Sequence, residues 1–371
     1  MTKSALVLGA GPAGLACASE LQQRGVRVCV LERGDKVGMC WRGHYDRLRL
    51  HTDKGHSSLP GRPMPRSYPR YPTRAQVIEY LEDYADAQRI IPEFNCEVRS
   101  VSFTDHWHVE TSLGPRQADI VVVALGVASF PHRPAWDGLD EFEGSVVHSS
   151  EYKNADQFAG KRVLVVGLGN SGGEIALDLS ETAASVELSV RGAVNVIPKE
   201  VLGIPILTLA IAEQALPVAL ADFVNRQVAK LVFGDLSGLG LRVSDQGPLA
   251  QVLEKKKVPL IDIGTMEAIK KGKIGVHPDI GHFSSSQVTF MDGQSSGLDA
   301  VVLATGFRPD FRELLPDNLD LLDNDGAPKS SGALSGENGL FFCSYVPSPT
   351  GQLREIGLEA RCIARAAFHL A

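Results

Sequence analysis

The stretch ALVLGAGPAGLACASELQQRGVRVCVLE, residues 5–32, decides the fold. An apolar run leads into Gly9, Gly11 and Gly14 at G-x-G-x-x-G spacing, a helical pattern follows, and a second apolar run ends at Glu32. In such units the first glycine makes a tight turn, the second lets a pyrophosphate approach the backbone, and the third packs helix on strand. The helix N-terminus receives the phosphates, and the closing acid accepts from a ribose hydroxyl. The stretch therefore predicts a Rossmann-like dinucleotide-binding unit.

The same unit occurs a second time. KRVLVVGLGNSGGEIALDL, residues 161–179, carries Gly167, Gly169 and Gly172 at the same spacing, and the strand SVELSVR ends at Arg191. We expect Arg191 to occupy the position that Glu32 holds in the first unit. An acid repels a 2′-phosphate, whereas an arginine offers it a bidentate fork. The first unit should bind a dinucleotide without a 2′-phosphate and the second should bind NADPH; a solvated charge at a strand end is the alternative for Arg191.

Each glycine unit is followed by a further matching segment. Residues 97–126 and 274–306 both read as a short β-meander and then an apolar strand that ends in A-L-G or A-T-G. Gly126 and Gly306 would close these strands at the carboxyl edge of a sheet, where ligands bind. The predicted fold class is α/β, with two Rossmann-like domains, each a parallel sheet with a β-meander, one inserted into the other.

Bulk composition excludes several functions. The chain has 371 residues and a net charge of −7, which leaves no basic footprint for nucleic acid. Its six cysteines are scattered without C-x-x-C spacing, so we expect no zinc or other metal site, no dithiol pair and a reducing, cytoplasmic compartment. The most apolar segment, residues 204–233, is broken by charges and a proline, so no transmembrane segment is expected. The N-terminus reads as a folded start rather than a signal peptide.

A fixed pattern precedes the second glycine turn. FEGSVVHSSEY, residues 142–152, places Phe142, Gly144, His148 and Tyr152 at F-x-G-x-x-x-H-x-x-x-Y spacing. With GNSGGE (169–174) and VVLATGFRPDF (301–311), this pattern resembles the class B flavin-containing monooxygenases. Further local matches point to their YUCCA type: YDRLRLHT (45–52), YPTRAQVIEYLEDYA (71–85), LVFGDLSGLGL (231–241), IDIGTMEAIKKGKI (261–274) and NGLFFCSY (338–345).

The resemblance implies a reaction and its cofactors. Members use FAD, NADPH and O2, and a C4a-(hydro)peroxyflavin oxygenates a small substrate. The substrate would be hydrophobic or aromatic: an α-keto acid such as indole-3-pyruvate, a ketone, or a soft nitrogen or sulfur centre. The FAD domain would span 1–154 and 311–371, and the NADPH domain 155–310 with a helical insertion at about 200–260. The inter-domain motif would be architectural, with His148 held by hydrogen bonds rather than acting as an acid or base.

The resemblance also assigns site residues. No catalytic residue is identified, although His51 and Thr52 are candidates that could reach the flavin. The FAD set is Gly9, Gly11, Pro12, Ala13, Gly14, Glu32, Arg33, Cys40, Trp41, His51, Thr52, Val98, Ala124, Gly126 and Gln352. The NADPH set is Gly167, Gly169, Asn170, Ser171, Gly172, Glu174, Arg191 and Thr305. Thr350 is expected to cap a final helix.

Two other functions stay open at this point. One is an NAD(P)H oxidase or disulfide-reductase-like flavoprotein on the same plan, which the missing C-x-x-C disfavours as a reductase. The other is a protein that binds both dinucleotides without turnover. The sequence leaves open the substrate, the type of oxygenation, any proton-transfer residue and the oligomeric state.

Overall fold

The structure, a computed structural model, describes residues 2–336 and 338–369. Its strands are β1 Ser4–Leu8, β2 Arg27–Leu31, β3 Val98–Phe103, β4 Trp107–Thr111, β5 Arg116–Ala118, β6 Ile120–Val123, β7 Ser145–His148, β8 Arg162–Val166, β9 Ser185–Ser189, β10 Val196–Pro198, β11 Glu200–Val201, β12 Ile204–Pro205, β13 Leu260–Asp262, β14 Gly275–His277, β15 Ile280–Ser284, β16 Gln287–Phe290, β17 Ser295–Gly297, β18 Ala300–Leu303 and β19 Leu340–Phe342. Its α-helices are α1 Pro12–Gln22, α2 Met39–Gly43, α3 Arg74–Ala87, α4 Asn170–Leu179, α5 Ile206–Glu213, α6 Val218–Phe233, α7 Pro248–Lys255, α8 Thr265–Lys270 and α9 Gln352–His369.

The first unit comprises Met1–Gly43, Thr52–Phe130 and Phe307–Ala371. Its parallel sheet has the strand order β19-β6-β1-β2, and β3, β4 and β5 form the predicted antiparallel meander. All four residues of β6 are buried, as expected for a central strand of a parallel sheet covered on both faces. Helix α1 packs against α9, which returns the end of the chain to this unit.

The second unit comprises His44–His51 and Pro131–Gly306. Its parallel sheet has the order β14-β9-β8-β18-β7, and β15, β16 and β17 form a second meander. Helices α5, α6 and α7 occupy the predicted insertion, which returns at β13 to pair with β10. Two parallel sheets with meanders, the second unit inserted into the first, confirm the predicted fold class.

The unit boundaries differ from those read off the sequence. The sequence-based division at 154/155 lies after β7, but Val146 of β7 pairs with Val301 of β18, so β7 is an edge strand of the second sheet. The boundary that the sequence placed at 154/155 lies between Phe130 and Pro131, and the one placed at 310/311 lies at 306/307. Residues 44–51 also belong to the second unit, which no local pattern indicated.

The start of α9 also differs from its prediction. The Glu355 amide donates to the Gly351 carbonyl, so Gly351 takes the N-cap position, one residue after the predicted Thr350. The Thr350 hydroxyl instead donates to the Glu355 carboxylate. None of the helices among the described residues is long and apolar enough to cross a membrane.

Candidate cofactor sites

The two glycine turns have the same tight backbone. Gly9 and Gly167 follow β1 and β8 with φ of +103° and +104°, a conformation that residues with a Cβ rarely adopt. A Cβ on Gly9 would lie 2.6 Å from the Ala124 carbonyl oxygen, and one on Gly167 would lie 2.7 Å from that of Ala304. In each unit the first glycine is therefore required by the neighbouring strand end.

The third glycine of each turn is required by packing of helix on strand. A Cβ on Gly14 would lie 1.9 Å from the Gly9 carbonyl oxygen, and one on Gly172 would lie 2.0 Å from that of Gly167. These contacts are far inside van der Waals distance, and backbone atoms have little freedom to move away. The structure thus gives these glycines the roles that their spacing predicted.

The middle glycine is different, because the protein's own packing does not require it. Within the described part of the chain, a Cβ on Gly11 or on Gly169 would meet nothing within 4 Å. Each is the N-cap of its helix, α1 or α4, and neither helix has a side-chain cap. Both helices thus present uncapped N–H groups and a positive dipole end beside open space, the arrangement that fits a pyrophosphate.

The ends of β2 and β9 correct the predicted equivalence of Glu32 and Arg191. Gly9 N donates to Leu31 O, and Gly167 N donates to Ser189 O, so these two acceptors are equivalent. The next residue is Glu32 in the first unit and Val190 in the second. Arg191 comes one residue later, where the first unit carries Arg33.

The ends of β2 and β9 therefore differ at the first position, which is acidic only after β2, and both carry an arginine at the next position. Arg33 and Arg191 are both exposed, whereas Glu32 is buried and Val190 puts an apolar side chain in its place. Glu32 Oε2 accepts from Ala10 N at 2.8 Å, and Oε1 accepts from Gly34 N at 2.9 Å. Each oxygen keeps a lone pair for a further donor such as a ribose hydroxyl. A 2′-phosphate would be repelled by Glu32, whereas the equivalent position of the second unit carries the uncharged Val190.

Three predicted NADPH residues have partners within the second unit. Asn170 Oδ1 accepts from Ile261 N at 2.8 Å, which ties the start of α4 to β13. The Thr305 hydroxyl donates to the His132 carbonyl, and the Ser171 side chain lies close enough to the Tyr45 hydroxyl to offset part of the rise in its pKa that burial causes. These residues lie beside the second glycine turn, and their described contacts support the turn itself.

Glu174, also predicted to contact NADPH, has two partners within the second unit. Its Oε2 accepts from Tyr45 Oη at 2.6 Å, and its Oε1 lies 2.5 Å from His51 Nε2. Its side chain is only 3% exposed, and burial together with this carboxylate raises the pKa of Tyr45. Glu174 thus anchors residues 44–51 to α4. Sequence reasoning missed Tyr45, since its partner lies more than a hundred residues away.

The two catalytic candidates belong to different units. His51 pairs with Glu174 in the second unit, whereas Thr52 Oγ1 lies 2.7 Å from Ser57 Oγ in the first. Both residues stay candidates for contact with the flavin.

The Phe–Gly–His–Tyr motif lies wholly in the second unit. The Phe142 ring is buried, and a Cβ on Gly144 would lie 2.4 Å from Phe142 Cζ and 2.6 Å from the Asp299 carbonyl oxygen. Tyr152 is 1% exposed and donates to Asp178 Oδ2 at 2.6 Å. These contacts fix the entry to β7 and its connection to β8.

His148 is fully buried at the end of β7. Its Nδ1 accepts from Ser150 N at 3.1 Å, so Nε2 carries the proton and donates to Gly306 O at 3.1 Å. Burial lowers the pKa of His148, which favours the neutral imidazole over the cation. His148 therefore fixes the carboxyl end of β18, and the prediction that hydrogen bonds hold it agrees with its geometry.

The remaining predicted FAD residues are distributed over the first unit. Pro12 and Ala13 form the first turn of α1, Cys40 and Trp41 lie on α2, Val98 begins β3, and Ala124 and Gly126 follow β6. Gln352 begins α9, and its Nε2 donates to Ser344 Oγ at 2.9 Å. Among the described residues, no cluster of three or more His, Cys, Asp or Glu side chains could hold a metal ion.

The helical insertion exposes apolar side chains along one face of α6. Leu220, Phe223 and Leu231 are 48%, 61% and 88% exposed at helical spacing. The insertion thus presents an apolar surface.

Comparison with known proteins places this geometry in a family. Residues 6–201 match the family model described as pyridine nucleotide-disulphide oxidoreductase. The chain is 40% identical over 353 residues to the probable indole-3-pyruvate monooxygenase YUCCA9 of Arabidopsis thaliana, with 92% of this chain and 84% of that protein covered. It is 39% identical to the indole-3-pyruvate monooxygenase YUCCA1 of Oryza sativa subsp. japonica, with 92% and 86% covered. The chain belongs to the YUCCA family.

Solved structures give the same fold. A flavin-containing monooxygenase from Stenotrophomonas maltophilia aligns with a TM-score of 0.76 at 23% identity, covering 98% of this chain and 97% of its own. An oxidized steroid monooxygenase bound to NADP aligns with a TM-score of 0.76 at 21% identity, covering 99% and 85%. The cofactors of this YUCCA-family chain are FAD and NADPH, as the family resemblance implied.

Proposed function

We propose that this YUCCA-family chain is an NADPH- and O2-dependent flavin monooxygenase that acts on indole-3-pyruvate or a closely similar aromatic α-keto acid. The observation that carries the proposal is that one chain contains two glycine turns, each leading into an uncapped helix N-terminus. Only in the first unit is the second strand followed by an acid, Glu32. A flavin and a 2′-phosphorylated nicotinamide cofactor suit such a pair. The substrate class is supported by identities of about 40% to indole-3-pyruvate monooxygenases over nearly the whole chain.

The proposed reaction balances without any further reactant. The α-keto acid, O2, NADPH and a proton give the carboxylic acid one carbon shorter, CO2, water and NADP+. The bond between the keto carbon and the carboxylate carbon breaks, and the carboxylate leaves as CO2. One oxygen atom of O2 enters the new carboxylate, and the other leaves as water. The bound flavin supplies the redox chemistry, namely hydride acceptance and activation of O2.

The chain's own residues bind and position the reactants. The N–H groups at the starts of α1 and α4 would hold the two pyrophosphates beside Gly11 and Gly169, where a Cβ would meet no atom of the described residues within 4 Å. Glu32 would accept from a ribose hydroxyl of FAD, and Arg191 would contact the 2′-phosphate of NADPH. His148, with its proton on Nε2, would keep β18 in place rather than exchange protons. The apolar face of α6 suits an aromatic substrate.

We also propose a reducing, cytoplasmic location. All six cysteines are free, and thiols persist in such a compartment.

Product analysis tests the function. Purified FAD-loaded protein is incubated with NADPH, 18O2 and a panel of α-keto acids, ketones, amines and sulfides, and product masses and hydrogen peroxide are measured. We expect NADPH oxidation that depends on indole-3-pyruvate, with one labelled oxygen per product acid. Peroxide equal to the NADPH consumed with every compound would refute the proposal and favour an oxidase.

A further inference from the structure

We infer that Arg242, in the helical insertion, is a second arginine of the 2′-phosphate site, alongside Arg191. The inference rests on the proposed use of NADPH by the second unit. Neither glycine fingerprint points to Arg242, because it lies 51 residues from Arg191 along the chain.

Backbone pairing holds Arg242 beside the end of β9. Val194 N donates to Arg242 O at 2.8 Å, and Ser244 N donates to Val194 O at 3.0 Å. Val194 and Val243 thereby form a parallel bridge just beyond the strand end. The insertion thus returns to the place where a Rossmann-like unit meets the adenosine ribose.

The Arg242 guanidinium contacts the backbone of Arg191 directly. Its Nη2 donates to the Arg191 carbonyl oxygen, which occupies one of its N–H groups. A guanidinium carries several further donors in a planar fork, so most remain for a ligand. The contact places the donors of Arg242 next to the residue proposed to bind the phosphate.

The two arginines make an anion site through their charges. Both are exposed, and within residues 2–336 and 338–369 neither forms an ion pair with a carboxylate. An anion bound between two cationic side chains offsets their mutual repulsion, and a phosphate dianion can accept from two guanidinium forks at once. In the first unit Glu32 follows the strand, whereas Val190 leaves the equivalent position uncharged and buried.

A binding experiment separates this role from others. The affinities of the FAD-loaded full chain for adenosine 2′,5′-bisphosphate and for 5′-AMP, which differ only in the 2′-phosphate, are measured by calorimetry. The variants are Arg242→Ala, Arg242→Gln, Arg242→Lys and Arg191→Ala. Arg226→Ala is the matched control, because Arg226 is exposed in the same insertion and likewise donates from Nη2 to a backbone carbonyl, that of Asp245.

We expect Arg242→Ala and Arg242→Gln to weaken bisphosphate binding about tenfold, the loss of one charge-assisted contact. Arg242→Lys should recover part of the affinity, while 5′-AMP binding and the Arg226→Ala control stay unchanged. Bisphosphate binding in Arg242→Ala equal to that of the control would overturn the inference alone. Equal weakening of both probes would also overturn it and would show that Arg242 only supports its loop. A wild-type chain without preference for the bisphosphate would overturn the NADPH assignment as well.

Discussion

Replacing Gly169 with alanine should abolish tight NADPH binding while leaving the protein folded. The backbone of Gly169 has φ −102° and ψ −172°, an extended conformation open to any residue, and a Cβ there would meet no atom within 4 Å in residues 2–336 and 338–369. Alanine reduces the conformational entropy of the unfolded chain, which stabilises the folded protein, but it is a poorer N-cap than glycine, which destabilises α4. Because the two effects oppose each other, the free energy of unfolding should change by less than about 1 kcal/mol.

The added methyl group lies where the pyrophosphate approaches. Displacing the phosphates from the N-terminus of α4 removes about two charge-assisted N–H bonds, each about 1.5 kcal/mol, or ~100-fold in Kd. The matched variant is Gly172→Ala, three residues along the same turn. Its Cβ would lie 2.0 Å from the Gly167 carbonyl oxygen, so the backbone must shift at a cost of about 3 kcal/mol.

Thermal unfolding and NADPH titration of the two variants test both roles. We expect Gly169→Ala to keep the wild-type Tm and lose affinity, and Gly172→Ala to lose about 6–12 °C in Tm. The reasoning about open space is wrong if Gly169→Ala binds NADPH normally. The reasoning about packing is wrong if Gly172→Ala melts like the wild type.

Two further predictions concern buried groups of the second unit. Glu174→Ala leaves the Tyr45 hydroxyl and His51 without their buried acceptor and should lower the free energy of unfolding by about 3 kcal/mol. The control Glu181→Ala removes an exposed carboxylate paired with Arg47 and should lower it by under about 1 kcal/mol. Equal shifts in Tm for the two variants would refute the anchoring role of Glu174. His148 binds a proton more readily unfolded than folded because burial lowers its folded pKa, so its contribution to stability is present above about pH 6.5 and falls as the pH drops below that value. The Tm of His148→Gln should therefore change less between pH 7.5 and 5.5 than that of the wild type, while exposed His282→Gln should follow the wild type; parallel curves for all three proteins would contradict this.

Local patterns predicted what local forces determine. The glycine spacing, the apolar strands and the meanders follow from short-range turn and strand chemistry, and the structure contains all of them. Matching the two glycine units by their charged residues misplaced Arg191 by one residue. The backbone hydrogen bond from the first glycine of each unit shows that Val190 is the equivalent of Glu32.

Long-range pairing decided the rest. The assignment of β7 depends on β18, which follows about 150 residues later, and hydrophobic periodicity carries no information about such a partner. The partners of Glu174 and the contact of Arg242 with Arg191 are of the same kind. The site roles of His51, Thr52 and Trp41 stay predictions, since they concern the bound cofactors.

The placement of residues 44–51 limits how this protein can be cut or recombined. The chain passes from one unit to the other at 43/44, 51/52, 130/131 and 306/307, so neither unit is one continuous stretch. A fragment of residues 131–306 would lack the tyrosine and histidine that satisfy the buried carboxylate of Glu174. Although the second glycine unit reads as a duplicate of the first, it cannot be transplanted as a cassette: a chimaera or split protein that exchanges it must carry this short upstream segment with it.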